Sequence, residues 1–226
     1  LAGSQGTIAI DSSRDITGEA DSAEHNLNIN ADFITMRDAD LHAQEIGVRM
    51  GDATFGNINI GTSLLESVSG GIFFEGGNVY AVDSLITASG ENSALQVRAN
   101  SLTVEGVAGT SAIRSGEFGA SGGDIDIMAN DITLLNNVEL STSSGGGRDG
   151  GDILLNASSI LISDNSQLAL FAGAGSRAGD IVINTADMLI KNNSSLNSSS
   201  TFEGATAGSV EIAASGRFGI ESGSSL

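Results

Sequence analysis

The sequence predicts an all-β chain wound as a right-handed parallel β-helix, a solenoid of about eight coils, mostly of 28–29 residues. Three observations carry this. A strand unit recurs at a fixed period, aliphatic residues alternate with polar ones inside it, and the 226 residues include 31 Gly and no Pro. The whole chain, 1–226, is read as one β-helix, with irregular coils over 1–122 and regular coils over 123–226.

The unit is clearest from Gly123 onward. It opens Gly123-Asp124-Ile125-Asp126-Ile127, then Gly151-Asp152-Ile153-Leu154-Leu155, Gly179-Asp180-Ile181-Val182-Ile183 and Gly208-Ser209-Val210-Glu211-Ile212, at spacings of 28, 28 and 29 residues. Ile125, Ile153, Ile181 and Val210 share one position of the repeat, and Ile127, Leu155, Ile183 and Ile212 the next. Ile132, Ile160 and Met188 form a third column, Leu134, Ile162 and Ile190 a fourth, and Leu140, Leu168 and Leu196 a fifth. Leu226 joins the fifth if one extra residue is allowed near Gly216. Alternation at a period of two is strand geometry. One such coil cannot bury its own apolar face, so coils must stack at about 4.8 Å per layer, giving a rod roughly 40 Å long. Parallel strands joined by same-handed connections wind to the right. Proline would remove a ladder hydrogen bond, which accounts for its absence.

At the corner between second and third strands stand Asn136-Asn137, Asp164-Asn165, Asn192-Asn193 and Ser222-Gly223. Asn and Gly adopt left-handed backbone most readily. A structural ladder of stacked amides through Asn137, Asn165 and Asn193 is therefore expected, each bonding the one above and below. Earlier in the chain, Leu95, Val97, Ala99, Leu102 and Val104 repeat the first two strands, with an excursion to Ile113. Leu27, Ile29, Ala31, Ile34, Met36 and Leu41 repeat all three, one residue tighter at a corner that carries Asp38. Ile8 and Ile10 are read as starting one coil and Ile58 and Ile60 another. Between Gly61 and Ser93 the register is not fixed, and Gly71–Gly77 is read as an extra strand or an outward loop.

A net charge of −19 opposes binding to nucleic acid and to anionic membranes. Without cysteine there are no disulfides or thiolate metal sites. No apolar run reaches the ~18 residues of a membrane-spanning helix, so membrane insertion is not expected. The chain opens at Leu1 without the basic and apolar segments of a signal peptide, so either processing removed it or the chain is a piece of something longer.

The strand segments Gly56-Asn57-Ile58-Asn59-Ile60 and Ser101-Leu102-Thr103-Val104, with the Phe- and Gly-containing loops at 54–56, 117–122 and 201–208, resemble the repeat regions of filamentous-haemagglutinin-like exoproteins of two-partner secretion. The two strand segments match the strand text of that family. Its closing loop is matched by Thr54-Phe55-Gly56, Glu117-Phe118-Gly119-Ala120-Ser121-Gly122 and Thr201-Phe202-Glu203-Gly204-Ala205-Thr206-Ala207-Gly208. The resemblance implies a secreted or cell-surface location, export through an outer-membrane secretion partner, and an adhesive or matrix role. The family's secretion domain carries Asn-Pro motifs, so this proline-free chain would be downstream shaft.

Asp124, Asp152 and Asp180 begin successive strands in one outward column. Carboxylates about 5 Å apart repel unless compensated. Either a divalent cation, calcium being the candidate, sits among them, or each caps a tight turn by accepting backbone N–H bonds; the second is preferred. Otherwise no cofactor is expected. The run Gly145–Asp152 resembles a calcium-binding nonapeptide but lacks its spacing. Asp124 and Asp126 lie two apart, as a hydrolase acting on polysaccharide would need, but Leu154 and Val182 replace Asp126 in the next coils. Arg148 and Arg177 are read as loop residues without an acidic constellation, and His25 and His42 as surface residues with no nucleophile nearby. Asn192-Asn193-Ser194 matches a glycosylation sequon, as Asn/Ser-rich corners do by chance. Leu154 and Val182 point outward next to each other, with Phe171 and Phe202 placed to cover them. The expectation is a structural or adhesive module, not an enzyme, with cell-surface, glycan or homotypic contacts. The alternatives are a β-helix polysaccharide-degrading enzyme around Asp124, Asp126 and Asp152, or a self-assembling extracellular filament subunit.

Overall fold

The structure, a computed structural model, describes residues 7–11, 15–17, 26–31, 33–49, 56–90, 93–116, 122–145, 147–200 and 202–226. Among them there is no helix. All strands join one 19-stranded sheet whose pairings are parallel, and successive coils stack as a parallel β-helix. His25, Thr54, Phe55, the loop 117–121 and Thr201 lie outside the described residues.

Cα pairing fixes three strand columns. In the first, Leu27, Ile46, Ile72, Leu95, Ile125, Ile153, Ile181 and Val210 stack in succession. The second runs Ile8, Ile34, Ile58, Val79, Leu102, Ile132, Ile160, Met188 and Phe218. The third runs Ile16, Leu41, Leu65, Ile86, Ile113, Leu140, Leu168 and Leu196, and a bridge between Ser195 and Ser225 brings Leu226 into line. The solenoid has about six turns, slightly fewer than the eight coils expected, and its end layers are partial. The first described layer holds only Thr7–Asp11 and Asp15–Thr17, and the last has a bridge in place of a third strand.

Two assignments shift. Ile8–Ile10 and Ile58–Ile60 occupy the second column and do not open coils; the first strand before Ile58 is Ile46-Gly47-Val48. The segment Gly71–Gly77 is neither extra strand nor outward loop. It is the ordinary first-column layer, with Ile72 and Phe74 both buried. These coils are short because the third strand runs directly into the next first strand, as in Asp40–Arg49 and Leu64–Val82, without a Gly/Ser loop.

The core is a single cluster of aliphatic side chains, with Phe74 its one aromatic ring among the described residues. Ile125, Ile153 and Ile181 are each 0% exposed, and burying each contributes about 1.5–3 kcal/mol. In the last layer Phe218 and Leu226 are exposed.

A second buried column was not foreseen. Directly after the corner, the Ser63 hydroxyl accepts Ala39 N–H, Ser84 accepts Ser63 N–H, and Ser111 accepts Ser84 N–H. The series resumes with Ser166 accepting Val138 N–H, Ser194 accepting Ser166 N–H and Ser224 accepting Ser194 N–H. Most of these hydroxyls also donate to a carbonyl of their own coil, as Ser166 does to Ser163 at 2.7 Å. An internal serine ladder thus links coils where the aliphatic columns turn. Ser166→Ala leaves the buried Val138 N–H without its acceptor, and an unmade buried bond costs about 1–3 kcal/mol. Urea denaturation should show that loss with an unchanged m-value.

Candidate functional site

The acidic column begins at a glycine. A Cβ at Gly151, Gly179 or Gly208 would overlap the carbonyl oxygen of the glycine one coil below, so the main chains pass here at closest approach. That approach delivers each following N–H to a carboxylate. Asp124 Oδ1 accepts Asp152 N–H at 2.8 Å, Asp152 Oδ1 accepts Asp180 N–H at 2.7 Å, and Asp180 Oδ1 accepts Ser209 N–H at 2.6 Å. Each aspartate thus caps the coil above it, where the sequence suggested a cap within its own turn. The carboxylates meet amide dipoles, which answers their mutual repulsion. Among the described residues, no group of three or more His, Asp or Glu side chains is placed to hold a metal ion.

Arg177 stands beside this column, contrary to its reading as a loop residue without acidic neighbours. Its Nη2 lies 3.0 Å and 3.1 Å from the two oxygens of Asp180, and Asp149 and Asp152 add to the negative field around it. The Ser209 backbone N–H, with Arg177 and the Ser209 hydroxyl, holds the Asp180 carboxyl below its ordinary 3.8, against a smaller opposing effect of burial. A carboxylate depressed in the folded state contributes stability above its unfolded pKa and loses it as pH falls through the folded value. Acid destabilisation should therefore steepen below pH 3.8, and Asp180→Asn should flatten that limb in urea midpoints taken from neutral pH downward.

The candidate acid–base pair is not free either. Asp126 is joined to the Arg98 guanidinium, which also donates to Asp126 O, while Asp124 caps Asp152. His42 lies between two carboxylates, Nε2 2.7 Å from Asp40 and Nδ1 2.9 Å from Glu66. They stand at opposite nitrogens of the ring, so the three side chains do not converge on one point. Arg148 is exposed.

At the corner, Asn136-Asn137, Asp164-Asn165 and Asn192-Asn193 all have φ between 57° and 61°. The earlier corners use one left-handed residue each, Asp38, Thr62 and Asp83, which makes them tighter. The ladder through Asn137, Asn165 and Asn193 differs from expectation. It runs through the main chain, Asn137 N–H to Asp164 O and Asn165 N–H to Asn192 O, while these three side chains face solvent. Side-chain bonding uses the preceding position, with Asn192 Nδ2 donating to Asp164 Oδ1 at 2.8 Å and Asn136 Nδ2 to Glu105 Oε1 at 3.0 Å. The Asp164 carboxyl lies below its ordinary value through the Ser163 hydroxyl and this amide. In the sequon, Asn192 is thus engaged and Ser194 is buried in the serine ladder.

Asp83 is a further residue the sequence did not single out. Its carboxylate accepts the N–H groups of Val107, Ala108 and Gly109 in the next coil, fixing the excursion that leads to Ile113.

Leu154 and Val182 are outward neighbours and half-buried. Phe171 belongs to the third column, between Ser143 and Ser199, and so lies on a different face; Phe202 is 44% exposed. A second outward pair, Leu161 and Leu189, continues at Gly219 and floors a shallow groove of about 680 Å³, with Ser159, Asp187, Arg217 and Glu221 along it. No protein-family model matches the chain, and neither the curated proteins nor the solved structures give a match.

Proposed function

We propose that the chain is shaft from a secreted bacterial surface protein of the filamentous-haemagglutinin-like kind, a structural and adhesive module without catalysis. In that role the complete protein leaves the cell through an outer-membrane partner. The observation that carries the reading is the use made of the acidic side chains. Asp124, Asp152 and Asp180 are spent on joining one coil to the next, and Asp126 on Arg98. A hydrolase needs a carboxylate positioned against substrate and free to exchange a proton, whereas a shaft needs every layer locked to its neighbour.

Incubation with a panel of acidic and neutral polysaccharides, with and without calcium, should release no reducing ends. Reproducible cleavage that disappears in Asp124→Asn would overturn this reading in favour of a polysaccharide-degrading β-helix.

A further inference from the structure

We propose that the outer groove over Leu161, Leu189 and Gly219 is a binding site for a neutral saccharide, an inference that rests on the adhesive reading above. The repeat itself makes the groove. Leu161 and Leu189 stand at one outward position of the second strand in successive coils, and the next coil has Gly219 there. Leu189 leans into the space, its Cδ1 3.1 Å from where a Cβ on Gly219 would lie. The floor is therefore two isobutyl groups and a bare stretch of backbone. Ser159, Asp187 and Arg217 line one long side, and Glu221 closes the other. At about 680 Å³ the groove falls within the range of small-ligand sites.

The chemistry selects among occupants. Asp187 and Glu221 set two carboxylates against the one guanidinium of Arg217 on a chain whose net charge is −19, which disfavours an anionic occupant. Among the described residues, the guanidinium of Arg217 and the carboxylate of Glu221 make no ion pair or hydrogen bond. A planar donor fork and a two-oxygen acceptor suit the alternating hydroxyls of a sugar. The aliphatic floor suits the C–H face of its ring. An extended peptide fits poorly. The strands beneath already spend their N–H and C=O groups on pairing along the helix axis, which leaves a peptide's main chain without partners.

The test is a titration of the ¹⁵N-labelled chain with cellobiose and chitobiose, with digalacturonate as the charged counterpart. At least one neutral disaccharide should shift the Leu189 and Gly219 amides saturably. Gly219→Leu restores the repeat's own residue, so it should keep the melting temperature while abolishing the shifts. Arg217→Ala and Glu221→Gln should each weaken binding about fivefold, the equivalent of one lost hydrogen bond. Absence of saturable shifts with both neutral sugars, a response to digalacturonate alone, or shifts that survive Gly219→Leu would overturn the proposal. If Gly219→Leu does not fold, undiminished binding in both rim variants does so. The shaft reading is judged separately, by turnover and by coil stability, and neither depends on this titration.

Discussion

Ile153→Ala is expected to cost about 2–5 kcal/mol, the range for truncating a large buried aliphatic residue. Its side chain is fully buried between Ile125 below and Ile181 above, in a column where every neighbour is also aliphatic. Little can collapse into the vacated space, because both adjoining layers are held by their own ladders, so the cavity persists and the upper part of the range applies. Val210→Ala is the internal control. Val210 occupies the same column in the last layer and is only half-buried, so its truncation should cost well under half as much. Chemical denaturation of both variants checks the gradient. If Ile153→Ala and Ile181→Ala each cost less than about half a kcal/mol, the column does not bear the stability assigned to it.

Where loops separate the strands, the fold was legible from the sequence. Between Gly123 and Gly208 the repeat keeps an almost constant period, so aliphatic positions can be aligned by eye and the pairing Ile125–Ile153–Ile181 follows. In the N-terminal half the connecting loop vanishes. Ile46-Gly47-Val48 follows the third-strand residue Leu41 inside one continuous strand, so no Gly/Ser punctuation marks the new coil, and Ile58 took its place as the start. The serine ladder was missed because serine near a corner reads as turn chemistry. Its signal was nonetheless present. Serine directly follows the left-handed residue in Thr62-Ser63, Asp83-Ser84, Asn165-Ser166, Asn193-Ser194 and Gly223-Ser224. The acidic column was found, but which N–H each carboxylate takes depends on how closely adjacent main chains approach, and no one-dimensional pattern encodes that distance. The groove was hidden for a related reason. Gly219 is missing a leucine only once the extra residue near Gly216 has been placed in register.

Gly179→Ala should be costly for a change of a single methyl group. The backbone at Gly179 is not left-handed, so alanine is conformationally permitted and flexibility is not the issue. The added carbon would instead overlap the carbonyl oxygen of Gly151 and lie 2.7 Å from Asp152 Oδ1. Neither obstacle can rotate away, because the first is main chain and the second is bound to Asp180 N–H. The layers must part, and parting lengthens the Asp152–Asp180 bond together with the neighbouring ladder. Overpacking of this kind costs about 1–3 kcal/mol and more where the backbone cannot shift. Gly175→Ala separates this mechanism from ordinary glycine strain: it has φ +69° but open space around the new carbon, and should lose only about 1–2 kcal/mol. Combining Gly179→Ala with Asp152→Ala should then cost less than the two changes separately, since the first has already weakened the bond that the second removes. Equal losses at Gly179 and Gly175, or strict additivity with Asp152→Ala, would mean that the spacing of the coils is not set at the Gly-Asp step.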